Sequence, residues 1–163
     1  MAKNKATGAL PSAFEKISYT ALNAKQKEVH NFHHIAAVLA RHGYASYPIR
    51  DDWNGGDMIA RHMTDPDREM LTIQIKGRVT FDQKYQGKNL WIGFPHQAAG
   101  AAEEGIIYIY PHDEILARYG DVRVAKGQQR LEQTGSWQKD GLYSMGSPPK
   151  DLLDILEPYR LSP

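Results

Sequence analysis

No cysteine occurs among the 163 residues. That absence excludes thiol nucleophiles, disulfides and cysteine-bound zinc, and it fits a cytoplasmic protein. No apolar run approaches the ~20 residues that a membrane-spanning helix needs, so no membrane association is expected. The basic start Met1-Ala2-Lys3-Asn4-Lys5 is not followed by the apolar core of a signal peptide. Charge of one sign is also missing. Lys and Arg number 20 against 19 Asp and Glu, for a formal net charge of +1. A protein that coats nucleic acid would be strongly basic, so the balance argues against that class. It leaves a nuclease open, because active-site carboxylates offset a basic rim. Internal repeats and low-complexity blocks are absent as well.

What remains is a globular composition, 41% hydrophobic and 10% aromatic. The length predicts one domain, which buries roughly 70% of the surface its unfolded chain exposes and needs no covalent staple. Residues 1–22 are polar and small, with Gly8 and Pro11. They read as a flexible N-terminal arm with a short helix near Phe14–Ile17. Residues 23–163 then form a single α/β domain. Asn23 caps a helix to about Arg41, on which Val29, Phe32, Ile35, Ala36 and Leu39 recur at helical spacing. Gly43 ends it. Strands are expected at Tyr44–Ile49, Asp57–His62 and Glu69–Gly77, separated by turns at 50–56 and 64–67.

Further on, Val79–Phe81 and Leu90–Phe94 read as a hairpin around Gln83–Asn89. Residues 95–104 read as a short helix. The apolar run Gly105–Tyr110 reads as a central strand. Asp113–Tyr119 reads as a helix closed by Gly120, and 121–146 as polar, glycine-punctuated chain. Ser147-Pro148-Pro149 opens a last helix to about Leu156.

The chemistry concentrates in Gly55-Gly56-Asp57-Met58-Ile59-Ala60 and Leu71-Thr72-Ile73-Gln74-Ile75-Lys76. Side chains alternate along a strand, so Gln74 and Lys76 share one face while Leu71, Ile73 and Ile75 take the other. An acid, an amide oxygen and a lysine at neighbouring strand ends suit a metal-dependent phosphodiesterase. Oxygen ligands hold Mg²⁺, and a cation sits near the attacking water or the scissile phosphate.

Each residue also has a plainer role. Asp57 after two glycines suits a solvated turn. Lys76 suits an aggregation-blocking edge position. Gln74 suits a solvent-facing strand position. Glu28 suits the early, dipole-complementing part of a helix.

Asp57 with Gln74-Ile75-Lys76 resembles the PD-(D/E)XK nuclease superfamily, the restriction endonucleases and Holliday-junction resolvases. The resemblance runs from about Lys25 to Tyr110 in order and content. It implies a restriction-endonuclease-like αβββαβ core, with a mixed central sheet flanked by helices. It implies Mg²⁺ or Mn²⁺ as cofactor, DNA as substrate and phosphodiester hydrolysis as the reaction. It assigns Asp57 as metal ligand, Gln74 as assisting ligand, the Ile75 carbonyl as further ligand, Lys76 as catalytic cation and Glu28 as the helix-borne acid. A homodimer follows if both strands of a duplex are cut. Two departures stand: Gly56 occupies the proline position, and Gln74 replaces an acid.

Arg78, Lys84 and Lys88, with Tyr85, form a basic-aromatic stretch that can track phosphates. Lys126, Arg130, Trp137 and Lys139 form a looser one. Asp51 and Asp52 are turn residues able to supplement a metal site. His30, His33 and His34 lie close on the helix but lack an HExxH pattern, so a solvated or DNA-facing patch is a better reading than zinc. Two rival functions stay open on the residues: a non-catalytic nucleic-acid-binding domain on the same fold, and a protein-interaction module. The latter would bind nucleic acid weakly and without salt dependence.

Overall fold

The computed structural model describes residues 17–50, 54–96 and 106–162. The helix expected near Phe14–Ile17 lies outside them except for Ile17, which is not helical. Most of the helix expected over 95–104 also lies outside, while Pro95 and His96 belong to a strand.

The first helix, α1 (Ala24–Arg41), opens on a reciprocal cap. The Asn23 side chain accepts from the Gln26 N–H, and the Gln26 side chain accepts from the Asn23 N–H. It closes on Gly43, whose φ of +84° places the chain in the left-handed region that only glycine enters without cost. The buried stripe is Asn31, Ile35, Val38 and Leu39. Next come β1 (Tyr44–Pro48), β2 (Met58–His62) and β3 (Leu71–Ile75), an antiparallel meander in the order expected. It packs on α1 through Ile35, Val38 and Leu39 against Met58, Ala60, Leu71 and Ile73.

The chain then departs from expectation. β4 (Val79–Asp82) does not form a hairpin with the Leu90–Phe94 segment. It pairs antiparallel with β7 (Leu142–Met145) in a separate two-stranded sheet. β5 (Trp91–His96) instead lies parallel to β3 and antiparallel to β6 (Ile106–Pro111). The αβββαβ order places a helix between the third and fourth strands of its sheet. Here β4 and a 3-10 turn at Gln83–Tyr85 make that crossing. The reason for the lost hairpin is the partner available. Tyr110 donates its hydroxyl to the Thr80 carbonyl (2.9 Å) and accepts from the Thr80 N–H (3.2 Å), which ties β4 across the sheet face. Its free edge then meets β7, four residues within the stretch read as polar, glycine-punctuated chain.

β6 is not central. It lies between β5 and the two-residue β8 (Arg160–Leu161), in the order β1-β2-β3-β5-β6-β8. Its unbroken apolar run has another cause, because both faces are covered. Ile107 and Ile109 point to the α1 side, and Tyr108 and Tyr110 to the opposite core.

That second core holds α2 (His112–Ala125), α3 (Gly135–Asp140), α4 (Lys150–Leu156) and the small sheet. α2 passes through Gly120 rather than ending there. Arg130 packs so close over Gly120 that an added Cβ would lie 2.5 Å from its Nη1. The architecture is thus mixed α/β, a six-stranded mixed sheet with α1 on one face and the remaining helices on the other. Among the described residues no helix is long and apolar enough to cross a membrane.

Candidate functional site

The site forms where β2 and β3 part. Met58 and Ala60 point toward α1, so Asp57 turns to the other face, the face of Gln74 and Lys76. The chain reaches Asp57 through Asn54 (φ +58°) and Gly55 (φ +84°), two consecutive left-handed residues. Gly56 follows, buried against β3. A Cβ there would sit 2.5 Å from the Thr72 methyl and 3.2 Å from Ile49 Cδ1. This close approach is the physical reason that no side chain stands before Asp57.

Asp57 extends the β2–β3 pairing by one bond, its N–H donating to the Ile73 carbonyl at 2.9 Å. Its side chain then replaces the ladder partner that β2 no longer offers. Oδ2 accepts from the Ile75 N–H at 2.7 Å and from the Gln74 side-chain amide. The same Gln74 amide also donates to the Ile75 carbonyl at 3.3 Å. Two of the expected metal-site oxygens, from Asp57 and Ile75, therefore converge on one point, and the Gln74 NH₂ group stands at it.

Rotating that amide by half a turn would bring its own oxygen to the same place. The donor set is then all oxygen with one negative charge, a hard set that suits Mg²⁺ or Mn²⁺. Without that rotation the NH₂ group already balances the carboxylate. Among the described residues no group of three or more His, Asp or Glu side chains is placed to hold a metal. A cation here therefore depends on Gln74 and the Ile75 carbonyl as well as on Asp57.

Lys76 shares a polar cavity of ≈ 420 Å³ with Asp57, Gln74, Lys84, Tyr85 and Lys88. Its ammonium stands 5.3 Å from the centre of the Tyr85 ring, and Lys84 stands 5.1 Å from the same ring. Burial, and then the nearby charge of Lys84, hold the Lys76 amine below the usual lysine range, while Asp57 and Asp82 act against that shift.

Glu28 is not in this cavity. It lines an adjoining one of ≈ 310 Å³ with Asp57, Ile75 and His33. Glu28 is exposed and ion-paired with Lys25 at 2.6 Å, one helical turn away. Arg78 also separates from Lys84 and Lys88. It lines a third cavity with His96 and Tyr19. Asp51 and Asp52 lie outside the described residues. His30 and His34 have ring centres 6.0 Å apart on α1, and Tyr19 meets His30 edge-on at 5.2 Å. The looser basic set is largely structural. Lys126 pairs with Asp151 at 2.8 Å, Arg130 pairs with Asp121, and Trp137 is buried.

Residues absent from the sequence reading brace the cavity wall. His112 is buried at the start of α2. Its Nε2 accepts from the Asp82 N–H at 3.0 Å, so Nδ1 carries the proton toward Asp113 Oδ1 at 2.7 Å. Asp113 Oδ2 accepts from the Gly87 N–H at 2.8 Å. Asp82 in turn accepts from the Lys84 N–H at 3.1 Å and caps the 3-10 turn. Asn54 donates to the Lys88 carbonyl at 3.3 Å from the far side. The segment that carries Lys84, Tyr85 and Lys88 is thereby held at both ends. The only sequence signal was the pair His112-Asp113, one proline beyond the apolar run.

No protein-family model, no curated protein and no solved structure matches this chain.

Proposed function

We propose that this chain is a Mg²⁺- or Mn²⁺-dependent endonuclease-like protein that hydrolyses phosphodiester bonds in DNA. In this reading its core is a restriction-endonuclease-like variant whose crossing helix has been replaced by β4. One observation carries it: Asp57, Gln74 and Lys76 share one polar cavity at parting strand ends, with Lys84 and Lys88 beside them. When bound, the metal would supply Lewis-acid activation of water and charge stabilisation at the phosphate. Asp57, the Ile75 carbonyl and the Gln74 oxygen would hold it. Lys76, partly desolvated, would orient the attacking water or offset the charge that builds on the phosphate oxygens. Lys84 and Lys88 would fix the backbone, and the brace from His112 and Asp113 would keep them in place without reorganisation.

One observation favours a second reading, a non-catalytic nucleic-acid-binding domain. The Gln74 amide already satisfies the Asp57 carboxylate, which a carboxylate at position 74 could not do. A melting series separates the two. A ligand of the native state raises its stability by mass action, so Mg²⁺ or Mn²⁺ raises the melting temperature of a catalytic protein. The expected result is a metal-dependent rise and cleavage of plasmid or branched DNA. A wild-type protein that shows no rise and cuts neither substrate sinks the catalytic reading and leaves the binding domain.

A further inference from the structure

Asp57 is a wall shared by two cavities of opposite character. On one side lie the lysines. On the other lies the ≈ 310 Å³ cavity walled by Val29, Phe32, Pro48 and Ile49, with Glu28 and His33 beside Asp57 among its described polar groups. Its volume falls at the lower end of the ~300–1,000 Å³ usual for small-ligand sites. Val29, an apolar side chain on α1, is 46% exposed and lines this cavity.

We propose that this second cavity is a subsite for an unpaired nucleobase, adjoining the phosphate held by the lysines. The substrate class is then single-stranded or locally unpaired nucleic acid. The inference rests on the nucleic-acid reading above and adds to it. A nucleotide joins an anionic group to a flat ring with apolar faces and a polar edge. The two cavities offer that pair of environments on either side of one carboxylate. A phosphate is disfavoured as occupant of the second, because Asp57 would repel it and Lys25 is already paired with Glu28. A base is not disfavoured. Its faces meet Phe32, Ile49 and Val29, while exocyclic amines can donate to Glu28 and ring atoms can meet His33. A paired base in a duplex has both faces covered by its stacked neighbours and cannot enter.

The test uses the full chain in EDTA with three probes of equal length: a single strand, a duplex with a one-nucleotide bulge and a fully paired duplex. Each carries 2-aminopurine at the central base. The expected result is binding of the single strand and the bulge about tenfold or more tighter than the paired duplex, the worth of roughly one base stacked on a side chain. The bulged 2-aminopurine should also change its emission on binding. Val29→Gln, an uncharged change at an exposed helix position, should erase that preference and leave paired-duplex affinity unchanged. Lys84→Ala should weaken all three probes alike. Equal affinity of wild type for paired and unpaired probes, or a Val29→Gln loss shared equally by all three, overturns the base subsite alone. Failure to bind any probe overturns the nucleic-acid reading and this inference with it.

Discussion

At the residue scale, the site turns on how one carboxylate is shared by a side-chain amide and a backbone N–H. Asp57 accepts from the Ile75 N–H and the Gln74 amide, so its carboxylate is satisfied in the apo protein. Asp57→Asn should therefore leave the protein folded while abolishing any metal-dependent rise in melting temperature. Gln74→Glu should behave in the opposite sense. It sets two carboxylates side by side, which lowers apo stability by like-charge repulsion and steepens the stabilisation by Mg²⁺ or Mn²⁺. Calorimetry of both variants across a metal series checks the pair, and a Gln74→Glu protein indifferent to metal would remove position 74 from the site.

Lys76 gives a separate, pH-dependent signature. Its folded-state amine sits below the ordinary 10.5, so near and below 10.5 the unfolded chain binds more protons than the folded one. Stability from this group thus rises with pH through the window below 10.5 and is lowest where both states are fully protonated. Lys76→Met should stabilise the apo protein at neutral pH, by an amount that shrinks as pH approaches 10.5. Urea titrations of the two proteins at a series of pH values measure it, and a constant difference would mean the amine is not desolvated.

At the scale of elements, the segment from Asp82 to Lys88 is held by α2 as well as by β7 and Asn54. Asp113 receives the Gly87 N–H and orients His112, which receives the Asp82 N–H. Asp113→Ala should cost on the order of 1 kcal/mol, the typical worth of such bonds at a partly exposed site. Amide exchange should quicken at Gly87, with the β1–β3 amides unaffected. Tyr110→Phe should cost more, about 1–3 kcal/mol, because it leaves the buried Thr80 N–H and carbonyl without their partner. It should loosen β4 and β7 before the main sheet, which hydrogen exchange resolves strand by strand. Burial also pushes the Tyr110 hydroxyl well above the usual tyrosine range, so it stays protonated and able to donate throughout these experiments.

At the scale of the molecule, a net charge of +1 conceals a local separation. Lys76, Lys84 and Lys88 face one cavity, Arg78 another, and Glu28 a third. If Lys84 and Lys88 meet phosphates, replacing both with Ala should flatten the slope of log affinity against log salt by about 2 × 0.9 units. Arg78→Ala should add about 0.9 more only where a strand long enough to reach the cavity that Arg78 lines is used. Binding isotherms at several salt concentrations with short and long DNA distinguish these outcomes. An unchanged slope for the double variant would remove the lysines from the interface.

How much could be read beforehand follows from the range of the forces involved. Local signals were decisive where one residue type satisfied one backbone need. The Asn23 cap, the Gly43 stop and the alternation that sets Gln74 and Lys76 on one face are all short-range, and all are in the structure. The β1–β2–β3 meander followed from turn residues between alternating segments, for the same reason. What failed required knowledge of distant partners. β4 paired with β7 some sixty residues on because Tyr110 and His112 hold it away from β5. β6 looked central because an apolar run records that both faces are buried, not how many strands lie beyond it. α2 ran past Gly120 because Arg130, from a later turn, fills the space of the missing side chain. The candidate site divides along the same line. Residue types and alternation by themselves determined that Asp57, Gln74 and Lys76 could act together. Only tertiary packing decided that Lys84 and Tyr85 would join them, that Glu28 and Arg78 would face other cavities, and that Asp57 would stand between two. Side-chain alternation is a property of the backbone alone, whereas a cavity belongs to every segment that walls it.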